Sequence, residues 1–183
     1  MRRLALALLM FTLVAAGLNK AAPAARAAAA VPQVVVVTKQ YGAALRRQPS
    51  SEATIVYLAA CGETLSVAGS QDGWYRVYSR ASYLWVGAGR VADADSPPSY
   101  DCSNAVTFEP AQVVFASVPT GCLSLRETPS RDASYSACVD SGTPFQLENG
   151  PIEVAGEDWF QVSSPVFGQG WMLAEFLAGT PLA

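Results

Sequence analysis

Histidine is absent from all 183 residues. That removes the commonest general base and the commonest metal ligand at once. The apolar run at Leu4–Leu18 holds fifteen residues, short of the roughly 20 that a membrane-spanning helix needs. Beyond residue 30, no stretch of useful length carries the 3.6-residue apolar period of an amphipathic helix. Bases are also scarce, with 12 Lys and Arg against 15 Asp and Glu. The first thirty residues contain four of those bases (Arg2, Arg3, Lys20, Arg26) and no acid, so the remainder has eight bases, fifteen acids and a net charge of −7. Such a surface repels phosphate backbones and anionic headgroups, which argues against nucleic acid or a membrane surface as partner.

What is present begins with an ordered leader. Met1-Arg2-Arg3 is basic, Leu4–Leu18 is apolar, and "NKAAPAARAAAA" offers small-x-small sites at Ala22-Pro23-Ala24 and Ala28-Ala29-Ala30. This is the layout of a secretory signal peptide over residues 1–30. It predicts cleavage, a secreted or extracytoplasmic chain at the cell surface or in the periplasm, and no membrane insertion after cleavage. The short apolar run disfavours the competing reading, an uncleaved anchor. Four cysteines in an exported chain favour disulfides over a metal site, and four permit three connectivities.

The chain repeats itself. "LRRQPS" at 45–50 and "LRETPS" at 125–130 share four of six positions, and Gly62 answers to Gly142 at the same offset. "WYRV" at 74–77 then meets "WFQV" at 159–162, and "LWV" at 84–86 meets "GWM" at 170–172. Each copy spans about 60 residues, marginal alone but able to form a compact barrel. Period-two alternation places Ile55, Tyr57 and Ala59 on one face, answered by Tyr135, Ala137 and Val139. Leu65, Val67, Tyr75 and Val77 are likewise answered by Phe145, Leu147, Phe160 and Val162. Trp74 and Trp159 fall on the opposite, mixed parity beside Arg76 and Gln161, whereas Trp85 and Trp171 sit inside apolar triplets and are expected in the core. Val34–Thr38 and Val113–Ser117 read as first strands. "LENGPIEVAGED" reads as a loop, and residues 92–112, with Pro97-Pro98, read as the connector.

Parity also selects a cysteine pairing. Cys122 shares the parity of Ser124 and Arg126, opposite Leu123 and Leu125; Cys138 shares that of Ser136, opposite Ala137 and Val139. Both thiols then lie on the outer face of adjoining strands, close enough to bridge. This pairs Cys122 with Cys138 and leaves Cys61 with Cys102, tying the connector to the first copy.

Taken in order, Leu45-Arg46…Pro49-Ser50, Gly62, Gly73-Trp74-Tyr75-Arg76-Val77 and Trp85-Val86, with their counterparts Leu125-Arg126…Pro129-Ser130, Gly142, Trp159-Phe160-Gln161-Val162 and Gly170-Trp171-Met172, resemble the bacterial SH3-like domain family. The resemblance implies an all-β fold of two tandem five-stranded barrels joined by a short linker: residues 31–92, linker 93–111, and residues 112–183. It departs from the family pattern at Leu84, which replaces the closing glycine, at Asp158, where glycine usually precedes the tryptophan, and in the long second-copy insert.

Family members often accompany cysteine peptidases that cut peptidoglycan, but an activated thiolate needs a base, nearly always histidine. No catalytic residue, metal site or cofactor is therefore expected. The acid pairs Glu157-Asp158 and Asp93 with Asp95 are read as solvated surface charge. Arg46 and Arg126 either hold a ligand carboxylate or, the favoured reading, bond carbonyls of their own loops. Trp74 and Trp159 either stack on a ligand or cap a barrel edge. The expected ligand residues are accordingly Arg46, Trp74, Tyr78, Arg126 and Trp159, and the first copy is the better candidate because Tyr75, Tyr78 and Tyr83 surround its groove. The expected partner is cell-wall peptide or glycan, or alternatively another envelope protein.

Overall fold

The computed structural model describes residues 31–180; the expected leader lies outside them. Glycine, Asp and Asn turn residues break the chain into short β-branched and aromatic runs, which pair as strands. The first half forms β1 (Val34–Val37), β2 (Ala43–Arg46), β3 (Ile55–Ala59), β4 (Thr64–Gln71), β5 (Trp74–Ser79), β6 (Ser82–Gly87) and β7 (Val91–Asp93). The second forms β8 (Val113–Ala116), β9 (Cys122–Arg126), β10 (Tyr135–Asp140), β11 (Pro144–Val154), β12 (Glu157–Ser164), β13 (Gly168–Leu173) and β14 (Leu177–Ala178). A single 3-10 turn, at Ala88–Arg90 and again at Ala174–Phe176, precedes the last strand of each half.

The first sheet runs β3-β2-β6-β5-β4-β1-β7 and the second β10-β9-β13-β12-β11-β8-β14. Strand for strand these are the same order, so the internal repeat of the sequence is also a repeat of topology. The fold is all-β, but each half is a seven-stranded sheet rather than the five-stranded barrel expected. The added members are short: β1 docks on β4, and β7 then docks on β1.

Alternation puts Val35, Leu45, Leu65, Val77, Leu84 and Val86 into the first core, and Leu125, Phe145, Leu147, Phe160, Val162 and Met172 into the second. Three expectations need correction. Tyr135 is 61% exposed, because the register slips between Tyr135 and Ala137 and a one-residue slip sends a side chain to the other face. The same slip sits between Ile55 and Tyr57, and Ile55 accordingly packs on the second core instead of the first. Trp85 and Trp171 are only half-buried; with Leu84, Val86 and Met172 facing inward, each tryptophan must face the other way.

The insert at 147–158 is not a loop. It lengthens the β11–β12 hairpin, pairing Ile152 with Trp159 and Val154 with Glu157. The turn is Ala155-Gly156, with φ of 53° and 82°, and that left-handed pair gives a twist that matches the flanking strands. At the closing position of the second repeat, a Cβ on Gly170 would lie 2.6 Å from Leu125 Cγ, so only glycine fits against that leucine. In the first repeat, Leu84 occupies the corresponding place within the core.

Most of the connector is exposed, but it is pinned to both sheets at a few points. Phe108 is 2% exposed and belongs to the second core. Val106 N–H donates to Gln40 O at 3.1 Å, and Gln40 Nε2 to Asn104 O at 3.0 Å. Cys122 bridges Cys138, as parity predicted, and Cys61 bridges Cys102, the pair left over, with Cα–Cα distances of 5.4 and 5.6 Å. For closed loops of these lengths, restriction of the unfolded chain contributes about 3 and about 4 kcal/mol. The described residues, 31–180, cluster as one compact unit. No helix among the described residues is long and apolar enough to cross a membrane.

Candidate functional site

Cross-strand pairing assembles an outward face on each sheet. Trp74 pairs with Gly87, Arg76 with Trp85, and Tyr78 with Tyr83; Arg46 meets Trp85 from the other side. In the second sheet Trp159 pairs with Leu173, Gln161 with Trp171, and Arg126 meets Trp171. Arg46 Nη1 donates to Ala53 O at 2.7 Å and Arg126 Nη1 to Ala133 O at 2.6 Å. Each guanidinium thus ties its own Pro-Ser loop by the same bond, seven residues along. Arg46 is 2% exposed, and burial lowers its pKa to about 10, partly offset by Glu52; the guanidinium stays charged at neutral pH.

Two equivalent pockets result. The first, about 170 Å³, is lined by Ala44, Arg46, Ser51, Trp74, Gly87 and Arg90. The second, about 360 Å³, is lined by Ser124, Arg126, Arg131, Trp159, Leu173 and Phe176, which are the counterparts of those six in the repeat. Only the first has a further wall from the other sheet, made by Pro151, Ile152 and Glu153. The β11–β12 hairpin therefore lies across the groove between Arg46 and Trp74, where a ligand was expected. Arg46 Nη1 also donates to Asn149 Oδ1 at 2.8 Å, and Asn149 Nδ2 to Ser51 O at 3.2 Å.

Trp159 is 1% exposed, whereas Trp74 is half-buried. Leu173 and Phe176 stand where the first repeat has Gly87 and Arg90, and their bulk covers the indole. Trp159 is therefore not the open stacking platform expected from its parity. Its Nε1 is buried with no hydrogen-bond partner among the described residues, a state that costs about 1–3 kcal/mol. At the rim, Arg131 Nε donates to Glu157 Oε1 at 2.6 Å and its Nη2 to Glu175 Oε1 at 3.2 Å.

The junction between the sheets is charged. Arg90, 9% exposed, donates through Nη2 to Gly42 O at 2.5 Å and pairs with Asp158. Asp158 is thus not the solvated charge expected; at the glycine position of the motif it meets a partner from the other repeat. Lys39 Nζ is 2.6 Å from Glu153 Oε2, and this hydrogen bond holds the Glu153 carboxyl below its ordinary 4.5 against the opposing effect of partial burial. A carboxyl with a lower pKa folded than unfolded contributes stability above about 4.5 that is lost as pH falls through the folded value. The denaturation midpoint of the native chain should therefore drop more steeply in acid than that of Glu153→Gln. At pH 7 the two should differ by less than about 1 kcal/mol, the pair being over a third exposed on the carboxylate side. Parallel slopes in acid would dismiss this role for Glu153.

At the far end of the first outward face, Tyr78 and Tyr83 are 54% and 52% exposed. Their rings meet edge-on with centroids 5.2 Å apart, and the Arg76 guanidinium lies 4.3 Å over Tyr83. Of the expected ligand residues, then, Arg46 and Trp74 share one pocket, Arg126 and Trp159 share its counterpart, and Tyr78 stands apart on the open strip. Asn149, Pro151, Ile152 and Arg90 were not singled out from sequence. The one visible signal was Asp158 in place of glycine.

Residues 42–92 match the family model of the bacterial SH3 domain. The matched segment covers β2 through most of β7 and therefore carries the tyrosine strip and the first-sheet lining of the first pocket; the second sheet lies outside the match. No curated protein matches the chain. Among solved structures, NlpC2 from Trichomonas vaginalis is similar over 81% of this chain and 48% of that one, with 11% identity and a TM-score of 0.31. NlpC1 from the same organism is similar over 80% and 45%, with 12% identity and a TM-score of 0.30. The chain spans less than half the length of either.

Proposed function

We propose that this chain is a non-catalytic, exported binding protein of two tandem SH3-like units, and that it recognises cell-wall peptide or glycan through the outward face of the first unit. The observation that carries the reading is the exposed Tyr78–Tyr83 pair with Arg76 laid over it. Aromatic faces standing in water beside a cation suit sugar rings and carboxylate-bearing peptide stems. The bacterial SH3 match over residues 42–92 supports the class, and the repeated strand order supports reading residues 112–183 as a second unit. Two disulfides fit an oxidising, extracytoplasmic compartment. The lack of histidine in the whole chain supports binding over catalysis.

Sedimentation with purified peptidoglycan sacculi tests the reading. The native chain should pellet with sacculi, and Tyr78→Ala/Tyr83→Ala should bind roughly tenfold more weakly, the loss of about 1–2 kcal/mol expected when an aromatic contact is removed. Both side chains are more than half exposed, so the melting temperature should hardly move. Native protein that stays in the supernatant would overturn wall binding. One observation favours the alternative, a protein adaptor: the first pocket already accommodates polypeptide, the chain's own hairpin.

A further inference from the structure

We propose that copies of this chain associate head to tail, the Tyr78–Tyr83 pair of one copy entering a hollow on the second sheet of the next. The inference shares its tyrosines with the wall-binding reading but does not rest on it, because it is tested without wall material.

One cross-strand row, repeated in the two sheets, carries both halves of the contact. In the first sheet Val34 pairs with Ser66, Ser66 with Tyr78, and Tyr78 with Tyr83. The second sheet repeats the row as Val113, Gln146, Ser163 and Gln169. Where the first row has its two tyrosines, the second therefore has serine and glutamine. These smaller side chains leave a hollow of about 600 Å³, walled also by Pro144 and Pro165. That volume is typical of an occupied ligand site, and two phenol rings need no more.

The two faces are chemically complementary. No charged side chain lines the hollow. Val113 on its wall and Val166 in the adjoining turn are 46% and 80% exposed, apolar surface that gains by leaving water. Ser163 and Gln169 offer partners to phenol hydroxyls, which need them when buried. Charge matches as well. Arg76 lies over Tyr83, and Ser163 Oγ donates to Glu148 Oε1, which places a carboxylate beside the hollow. Neither Arg76 nor Glu148 has an ion-pair partner among the described residues. Seating the tyrosines brings that guanidinium towards that carboxylate, whereas a neutral sugar would leave both unmatched. A contact between unlike patches also leaves one tyrosine pair and one hollow free at the ends of the assembly, so it extends as concentration rises.

Sedimentation equilibrium of the native chain should give a weight-average mass that climbs between about 0.01 and 1 mM, as suits a small, transient contact. Tyr78→Ala/Tyr83→Ala removes the inserted pair. Gln169→Arg sets a second cation against Arg76 inside the hollow, at a position exposed in its own sheet. Each variant alone should stay monomeric over this range with its melting temperature unchanged. Mixed in equal amounts they should form a one-to-one dimer and nothing larger, since one keeps its hollow and the other its tyrosines. A misfolded variant would not restore association, so the mixture separates loss of the contact from loss of the fold. Native chain that stays monomeric to 1 mM would overturn the proposal. So would association that survives in either variant, or a mixture that remains monomeric. Native chain that associates in this pattern but does not pellet with sacculi would remove the wall-binding reading and leave this one standing.

Discussion

Phe108→Ala is expected to destabilise the chain by about 3–5 kcal/mol, as large a loss as any single core truncation should give. The residue lies between β7 and β8, in a stretch whose prolines, acids and serines look like a solvated connector. Yet the ring is 2% exposed and meets Phe160 edge-on at 5.3 Å, within the core of the second sheet. Truncation removes the burial of a full aromatic ring and leaves a cavity between the sheets, because Cys61–Cys102 and the Gln40 bonds hold the connector in place and limit collapse. Chemical denaturation of Phe108→Ala beside Val106→Ala checks this. Val106 is 37% exposed, so its truncation should cost under about 1 kcal/mol. Equal midpoints for the two variants would mean that the connector does not belong to the core.

Phe108 also marks where sequence reading stopped. Within a strand, parity is local, and it located Leu65, Val77, Phe145, Leu147, Phe160 and Val162 as core and paired all four cysteines. It failed where the ladder slips, at Ile55 and Tyr135, because a bulge changes parity without changing composition. It failed at Trp85 too: in Leu84-Trp85-Val86 all three residues are apolar, so hydrophobicity cannot say which two face inward. Repeat alignment located Arg46, Trp74, Arg126 and Trp159, but not the fact that a hairpin of the other sheet walls one pocket and not its counterpart. That difference is set by Asn149, which reaches Arg46 across 103 residues of sequence, and no short-range pattern encodes such a contact. Likewise the burial of Trp159 follows from Leu173 and Phe176, whose relevance appears only when the two sheets are compared.

The Asp158 substitution in the motif leads to the second large effect. Asp158→Ala is expected to cost about 3 kcal/mol, well above the 0–1 kcal/mol of an exposed pair. The side chains of Arg90 and Asp158 are 11% and 12% exposed, so removing the carboxylate strands a nearly buried guanidinium. Glu153 Oε2, 3.9 Å from Arg90 Nη1, can take up part of the charge, which keeps the loss at the lower end of the range for a broken buried pair. Replacing both partners by apolar residues relieves both desolvation penalties, so Arg90→Met/Asp158→Leu should recover more than half of the loss, short of full recovery because Gly42 O loses its donor. Asp158 precedes Trp159 on the hairpin that brings Pro151 to Trp74, so the single variant should also loosen that contact. Amide exchange should quicken at Asn149 and Ile152, and Trp74 emission should shift to the red as water reaches the ring. If Asp158→Ala melts within about 0.5 kcal/mol of the native chain and exchange at the hairpin is unchanged, the ion pair does not hold the sheets together, and the hairpin is kept over the first pocket by packing and the Arg46–Asn149 bond.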